Sequence, residues 1–483
     1  MKLISCKCLP GLLAGLALLL LQTACSVPQI ATRTPSTALP QTFPATTGRD
    51  TVGIDAAQLV TQFFDDPYLL QLVDTALVNN KELNILVQRI SIARNEIQAR
   101  RGEYLPFVST GVGTEVEKVG RYTRMGALEE NISLNEERAF PEFLTNIQLG
   151  LYASWELDVW NKLRNARKAA VMEYLATVEG RNFMTTQVVA EVANSYYELL
   201  ALDTRLQNLQ NMLAIQEDAL RVVNLLQQAG RSNSLAVRRF EAEIQGNRSE
   251  TFAIQQEIAA TENRLNFLLG RAPQPIARRS ENFLDLQPPL VQTGIPSQLL
   301  TNRPDIRQAE YELAAAGLDI QSARANFLPS FGIRAGLGFQ SFNLKYLLTA
   351  PESLLLSLAG DAAAPLVNRN AIIATYQNAS ARQVEVAFDY EQSVLRAYQE
   401  VATQVSNIDN LQQTYQAKQE QVADLNESIE ISNKLYQSAR ADYMEVLLTQ
   451  RDALEARTEL IETKREQLGA VVDLYQALGG GWR

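Results

Sequence analysis

The feature that most constrains this chain is that it aligns with itself. Leu77-Val78-Asn79 recurs as Leu300-Thr301-Asn302, Ile97-Gln98 as Ile320-Gln321 and Leu105-Pro106 as Leu328-Pro329, all 223 positions apart. Further on, Tyr196 and Glu198 correspond to Tyr398 and Glu400 at an offset of 202, and Val237, Leu265 and Leu269-Gly270 to Val446, Leu474 and Leu478-Gly479 at 209. The parts come in the same order in both halves, so one structural plan is used twice. The offset grows by seven within a helical stretch. Seven residues keep an apolar seam in phase, which implies packing along the whole stretch.

That seam is explicit. Leu199, Leu202, Leu206, Leu209, Leu213, Gln216, Leu220 and Val223 alternate spacings of three and four, the pattern of a coiled coil. Its counterpart runs Val394, Tyr398, Val401, Val405 and Ile408, then shifts phase to Leu411, Tyr415, Lys418, Val422, Leu425 and Ile429. From Lys162 to Ala229 and from Asn370 to Ala439 there is no proline, and the only glycine is Gly180. Each stretch is therefore expected to be a nearly continuous helix, about 100 Å long at 1.5 Å per residue.

Segments of period two lie between the helices. Ile147, Leu149, Leu151, Ala153 and Trp155 alternate with polar or small residues, as do Phe331, Ile333, Ala335, Leu337 and Phe339. Four strands are expected, at about 104–118, 143–157, 327–341 and 353–366, the last poorly patterned; a length near ten residues suits tilted membrane strands. Ile147, Leu149, Leu151, Phe331, Ile333 and Leu337 are the candidates to face lipid. Four strands cannot close a barrel, and an open edge in lipid leaves backbone groups unpaired, whereas three copies supply twelve. The expected fold class is mainly α with a small β part: a duplicated α-helical coiled-coil barrel, plus four β-strands per chain contributing to a trimeric 12-stranded transmembrane β-barrel.

Chemistry is scarce. The chain has no histidine, and its three cysteines, Cys6, Cys8 and Cys25, all precede residue 26. The commonest general base and metal ligand are thus missing, and no disulfide framework exists. No enzyme activity, cofactor or metal is expected. A net charge of −10 argues against nucleic acid, which needs clustered Lys and Arg.

At the N-terminus, Lys2 and Lys7 precede an apolar run from Leu9 to Leu21, then Gln22-Thr23-Ala24-Cys25. Residues 1–24 read as a signal peptide. Cys25 resembles the acylated cysteine of bacterial lipoproteins, although Leu21 stands four residues before it rather than the usual three. Ser26 in place of an aspartate points to the outer membrane. Residues 25–63 are the anchored tether, 64–271 the first repeat with its hairpin at 104–157, 272–296 a Pro-rich link, and 297–483 the second repeat with its hairpin at 327–366.

Together the residues resemble the outer-membrane factor family, the TolC-like, OprM-like and NodT-type efflux lipoproteins. The marks are Asn302-Arg303-Pro304-Asp305-Ile306, the two Leu-Pro strand entries, Trp155-Glu156-Leu157-Asp158 and the terminal Ala477-Leu478-Gly479-Gly480-Gly481-Trp482. The resemblance implies a homotrimer in the Gram-negative outer membrane, anchored in its lipid and extending into the periplasm. It also implies a periplasmic adaptor (membrane fusion) protein and an inner-membrane transporter of the RND type as partners. The function implied is passive export of small molecules such as drugs. An outer-membrane component of type I protein secretion is the alternative, and a coiled-coil scaffold or adhesin a more distant one. The tunnel is expected to close where helices reverse, near Gly230–Ser234 and Arg440–Tyr443. Gate candidates in the second reversal are Met444, Glu445, Leu448, Arg451 and Asp452. Leu448 stands where the family suggests an aspartate, which leaves a carboxylate ring or an apolar neck open. Tyr436 is a candidate to brace neighbouring helices, or simple packing.

Overall fold

The computed structural model describes residues 27–36, 39–40, 43, 60–135, 138–139, 141–289, 294–438 and 440–482. Cys25 and the signal segment lie outside the described residues. In chain order the principal elements are α1 (Pro67–Asn79), α2 (Lys81–Glu103), β1 (Phe107–Glu117), β2 (Leu144–Leu157), α3 (Lys162–Gln228) and α4 (Ser234–Leu268). The second half repeats the order with α5 (Pro304–Ala325), β3 (Ser330–Ser341), β4 (Leu354–Ala363), α6 (Asn370–Gln437) and α7 (Tyr443–Ala477). The chain divides into two compact units, one of residues 1–34, 92–174 and 311–387, the other of 35–91, 175–310 and 388–483. Each unit therefore draws on both halves of the duplication.

The first unit holds the sheet. Its four strands are antiparallel in the order β1-β2-β3-β4, so the two hairpins join through β2 and β3. Directly opposed residues share a face. The register aligns Val112, Leu149, Phe339 and Leu354 in one row and Thr110, Leu151, Leu337 and Leu356 in the next. The other face carries Ser109, Gln148, Tyr152, Gln340, Ser357 and several glycines. The fourth strand, whose Leu354-Leu355-Leu356 run blurs its own alternation, takes its facing from β3. Tyr152 lies between Gly111 and Gly336, where an added Cβ would meet its ring at 3.3 and 3.4 Å. Below the sheet, Trp160 Nε1 donates to the Pro329 carbonyl at 2.7 Å and Ser322 Oγ to the Lys162 carbonyl at 3.0 Å. Val27 and Ile30 of the tether pack on Ala323, Phe327 and Tyr376, and the Gln383 amide bonds both the N–H and the carbonyl of Arg33.

The second unit holds the main core, where Val192, Tyr196, Leu199 and Leu200 of α3 meet Leu69 and Val73 of α1, Leu265 and Leu269 at the end of α4, and Leu468, Val471 and Tyr475 of α7. The coiled-coil seam departs from the expected one at a single step: Met212 is fully buried and Leu213 only half-buried. A 3.6-residue helix drifts against a strict heptad, and Met212 takes the position facing Ile429 and Ala453. The Pro-rich link is tied down rather than loose. Arg278 reaches Asp203 on α3 at 2.6 Å and Glu262 on α4 at 2.5 Å, and the Leu284 carbonyl accepts from Tyr415 of α6.

The duplication extends to how each half closes. Asn80 Nδ2 donates to the Leu268 carbonyl at the end of α4 (3.0 Å), and Arg303 Nη1 donates to the Ala477 carbonyl at the end of α7 (2.8 Å). These are corresponding positions with different side chains. After each helix a glycine at positive φ, Gly270 at 64° and Gly479 at 88°, turns the chain. A Cβ on Gly479 would meet the Asn302 carbonyl at 2.7 Å, and one on Gly270 would collide with Asn79 in the same way. Arg303 is held by Asp305 (2.7 Å) and Glu400 (2.6 Å) with its side chain 4% exposed. Burial works against its charge, but the two carboxylates outweigh this and hold its pKa above the ordinary arginine value. Arg303→Met should cost about 3 kcal/mol, because it strands two carboxylates beside a buried carbonyl. Asn80→Ala should cost about 1–2 kcal/mol, through lost caps to Glu82 and Leu83. Denaturant unfolding followed by circular dichroism measures both.

Candidate functional site

The helix reversals form one apolar tip. α3 ends with the Arg231 N–H bonded to the Leu226 carbonyl at 2.8 Å, and α6 with the Arg440 N–H bonded to Leu435 at 2.9 Å, the same closing bond one repeat apart. Asn233 caps α4 by accepting from the Ala236 N–H, whereas Asp442 precedes α7 without a side-chain capping bond. Val223, Ala236, Phe240 and Val446 are buried together, with Tyr436 and Tyr443 against them. Tyr436 thus packs across helices, and its hydroxyl is buried with no hydrogen-bond partner among the described residues.

On α7 the gate candidates separate from this core. Val446, Gln450 and Ala453 are buried, while Glu445, Leu448, Arg451 and Asp452 are exposed and Met444 is half-buried. Glu445, Leu448 and Asp452 share one face, as spacings of three and four require. Glu445 lies in the first turn, where the helix dipole favours an acid. Arg451 and Asp452 form an exposed ion pair at 3.3 Å, worth little by itself. Sequence reasoning stopped at Asp452, but the exposed stripe continues through Glu455, Glu459 and Glu466, with Leu448 its apolar member. The same spacing of three and four would have found it.

A second missed feature lies behind this stripe. Gln216 of α3 and Gln450 of α7 are 1% and 0% exposed. Gln216 Nε2 and both polar atoms of Gln450 have no partner among the described residues. The apolar clusters around Val223–Val446 and around Met212–Ala453 bracket both glutamines. An unsatisfied buried amide costs about 1–3 kcal/mol, so this is a weak layer between two strong ones.

In the sheet unit, Ile147, Leu149, Phe331 and Ile333 are half-buried and Leu151 and Leu337 exposed by 53% and 52%; all six stand on the apolar face. Val112, Leu356 and Leu358 on the same face are 76–78% exposed. Among the described residues β1 and β4 are the sheet's unpaired edges. Beneath it a cavity of about 330 Å³ is lined by Glu96, Arg100, Glu173 and Asp319. Burial raises the pKa of both Glu173 and Asp319; the Asp319 and Glu96 charges add to it for Glu173, and Arg100 opposes it for both.

An exposed apolar sheet face in a chain whose other elements are long helices is what one subunit of a transmembrane β-barrel presents. No described helix is long and apolar enough to cross a membrane. The family described as "Outer membrane efflux protein" matches residues 72–271 and 295–480. The chain is 30% identical over 421 residues to the cation efflux system protein CusC of Escherichia coli, covering 87% of this chain and 88% of CusC. It is 29% identical to the pyoverdine export outer membrane protein OpmQ of Pseudomonas putida, covering 87% of each. A crystal structure of CusC superposes with a TM-score of 0.81 at 27% identity, over 94% of this chain and 99% of that one. The chain belongs to the outer membrane efflux protein family, and is an outer-membrane efflux channel rather than an enzyme.

Gln450→Met should stabilise the protein by about 1 kcal/mol, by replacing unsatisfied polar atoms with packed apolar ones, and a raised thermal midpoint would report it. For Glu173 and Asp319, a folded-state pKa above the unfolded one means the native state binds more protons as pH falls, so their contribution to stability improves on acidification and is lost as pH rises through the raised values. Glu173→Gln with Asp319→Asn should flatten the pH dependence of unfolding in that window.

Proposed function

We propose that three copies of this chain assemble so that β1 of each pairs with β4 of the next, closing a twelve-stranded barrel whose apolar rows, Ile147, Leu149, Leu151, Phe331, Ile333 and Leu337 among them, face lipid. The observation that carries this reading is the four-stranded sheet with an exposed apolar face and two unpaired edges. In lipid such edges leave backbone groups without partners, and closure removes them. Cys25 carries the lipid anchor, and the described part of the tether leads from it along α6.

Small molecules pass outward through the trimer, delivered by an inner-membrane transporter of the RND type through a periplasmic adaptor. The names of the relatives, a cation system and a pyoverdine exporter, support export of small solutes and do not fix one cargo. The entrance is gated at the periplasmic helix tip by the exposed face of α7. Glu445 and Asp452 set its charge there, Met444 and Arg451 flank it, and three Leu448 side chains form the apolar neck, since a narrow hydrophobic ring blocks ions by dewetting. Tyr436 braces the tip from behind.

The purified protein in planar bilayers should give single-channel currents and migrate as heat-resistant trimers. Trimers that pass no current would overturn the conduit reading. Leu448→Ser should raise conductance severalfold and Glu445→Ala should weaken cation preference. Unchanged currents in both variants would place the gate elsewhere.

A further inference from the structure

α2 sorts its arginines by flank. Arg100 points to the side shared with α5 and α6 and is ion-paired with Glu96 (2.9 Å) and Glu103 (3.1 Å). Arg94 and Arg101 lie on the other flank, where with Arg167 of α3 they line a separate cavity of about 510 Å³. Among the described residues none of these three has a carboxylate partner. Among the described residues Arg94 meets Tyr174, its hydroxyl at 3.4 Å and its ring at 5.9 Å, and Arg167 meets the Tyr104 hydroxyl at 3.5 Å. Arg167 Nε is buried with no hydrogen-bond partner among the described residues. Arg94 and Arg101 are exposed and Arg167 is half-buried, its Nε N–H lacking an acceptor among the described residues, so three guanidinium groups without a carboxylate partner converge where an anion can reach them.

The sheet tells where this cavity opens. Trp155 stands in the apolar row opposite Ile333, and its indole N–H donates to the Tyr104 carbonyl at 3.0 Å. Tyr104 therefore borders the apolar face, and Arg167 meets the same tyrosine. Leu105 lines the cavity two residues before β1 begins. A partly exposed tryptophan at the end of a membrane strand marks the level where hydrocarbon gives way to headgroups.

We propose that Arg94, Arg101 and Arg167 bind the phosphodiester headgroup of an anionic phospholipid in the leaflet next to the helical body. The inference rests on the lipid-facing reading of the sheet's apolar face. Guanidinium groups match phosphate oxygens in forked geometry, and Ile97 and Leu105 offer apolar surface to the glycerol end of the chains.

The test titrates the full-length trimer in neutral detergent with short-chain phosphatidylglycerol, with phosphatidylcholine of equal chain length and with inorganic phosphate, reading bound lipid by native mass spectrometry. Phosphatidylglycerol should be preferred. Arg101→Gln and Arg167→Gln should each reduce that preference about fivefold, the factor expected per basic residue at an anionic surface. Equal binding of the two lipids, or a preference surviving both substitutions, overturns the site. Complete displacement of phosphatidylglycerol by inorganic phosphate overturns the lipid in favour of a free anion. Trimers that dissociate in Arg101→Gln without any lipid preference in the parent overturn it in favour of a neighbouring copy's carboxylate. Conductance of the same preparation separates the two readings: conducting trimers without lipid preference remove the headgroup site and leave the channel standing.

Discussion

The pairing of β2 with β3 is the contact on which the rest depends. It is where the two copies of the duplicated plan meet within the sheet, and its register decides which side chains share a face. Gly150 stands opposite Gly338, and a Cβ on Gly338 would come within 2.5 Å of the Gly150 Cα, so the two backbones approach as closely as glycine allows. A slip of one residue would carry Leu149, Leu151, Leu337 and Phe339 to the opposite face and strand Tyr152 outside its niche. With the register fixed, the apolar rows line up across all four strands.

The helices obey a different constraint. Seams of three and four spacing are permissive about sequence but strict about phase, which is why a seven-residue gain in α6 leaves the second half superposable in plan on the first. Within that regularity the tip is deliberately uneven. Tight apolar packing around Phe240 and Val446 alternates with the Gln216 and Gln450 layer, and the exposed acidic stripe of α7 is interrupted by Leu448 and flanked by Arg451. Stable packing and a reserve of weakness thus sit one helical turn apart.

Much of this was legible in the amino-acid order. The duplication, the uninterrupted helices, the strand positions and the separation of Glu445, Leu448 and Asp452 from the core all follow from periodicity, because periodicity reports a face directly. What failed to show has physical reasons. Met212 displaced Leu213 because helical drift is invisible to a strict heptad. The facing of β4 was blurred because a run of three leucines has no period of its own and borrows one from its neighbour. The closing bonds of Asn80 and Arg303 were hidden because the two positions correspond while their side chains do not, and a bond to a distant carbonyl leaves no local pattern. The arginine cavity was missed for a similar reason, since Arg94, Arg101 and Arg167 come from two helices.

The unlike closing residues give the two halves different temperaments. Asn80 holds its helix end with a neutral amide, indifferent to protons and to dissolved salt. Arg303 holds the other through an ionic clamp whose Glu400 arm is 43% exposed to solvent. A molecule built by copying one half has in this way acquired a left hand and a right hand: one grip is fixed in any medium, and the other answers to the composition of the fluid around it.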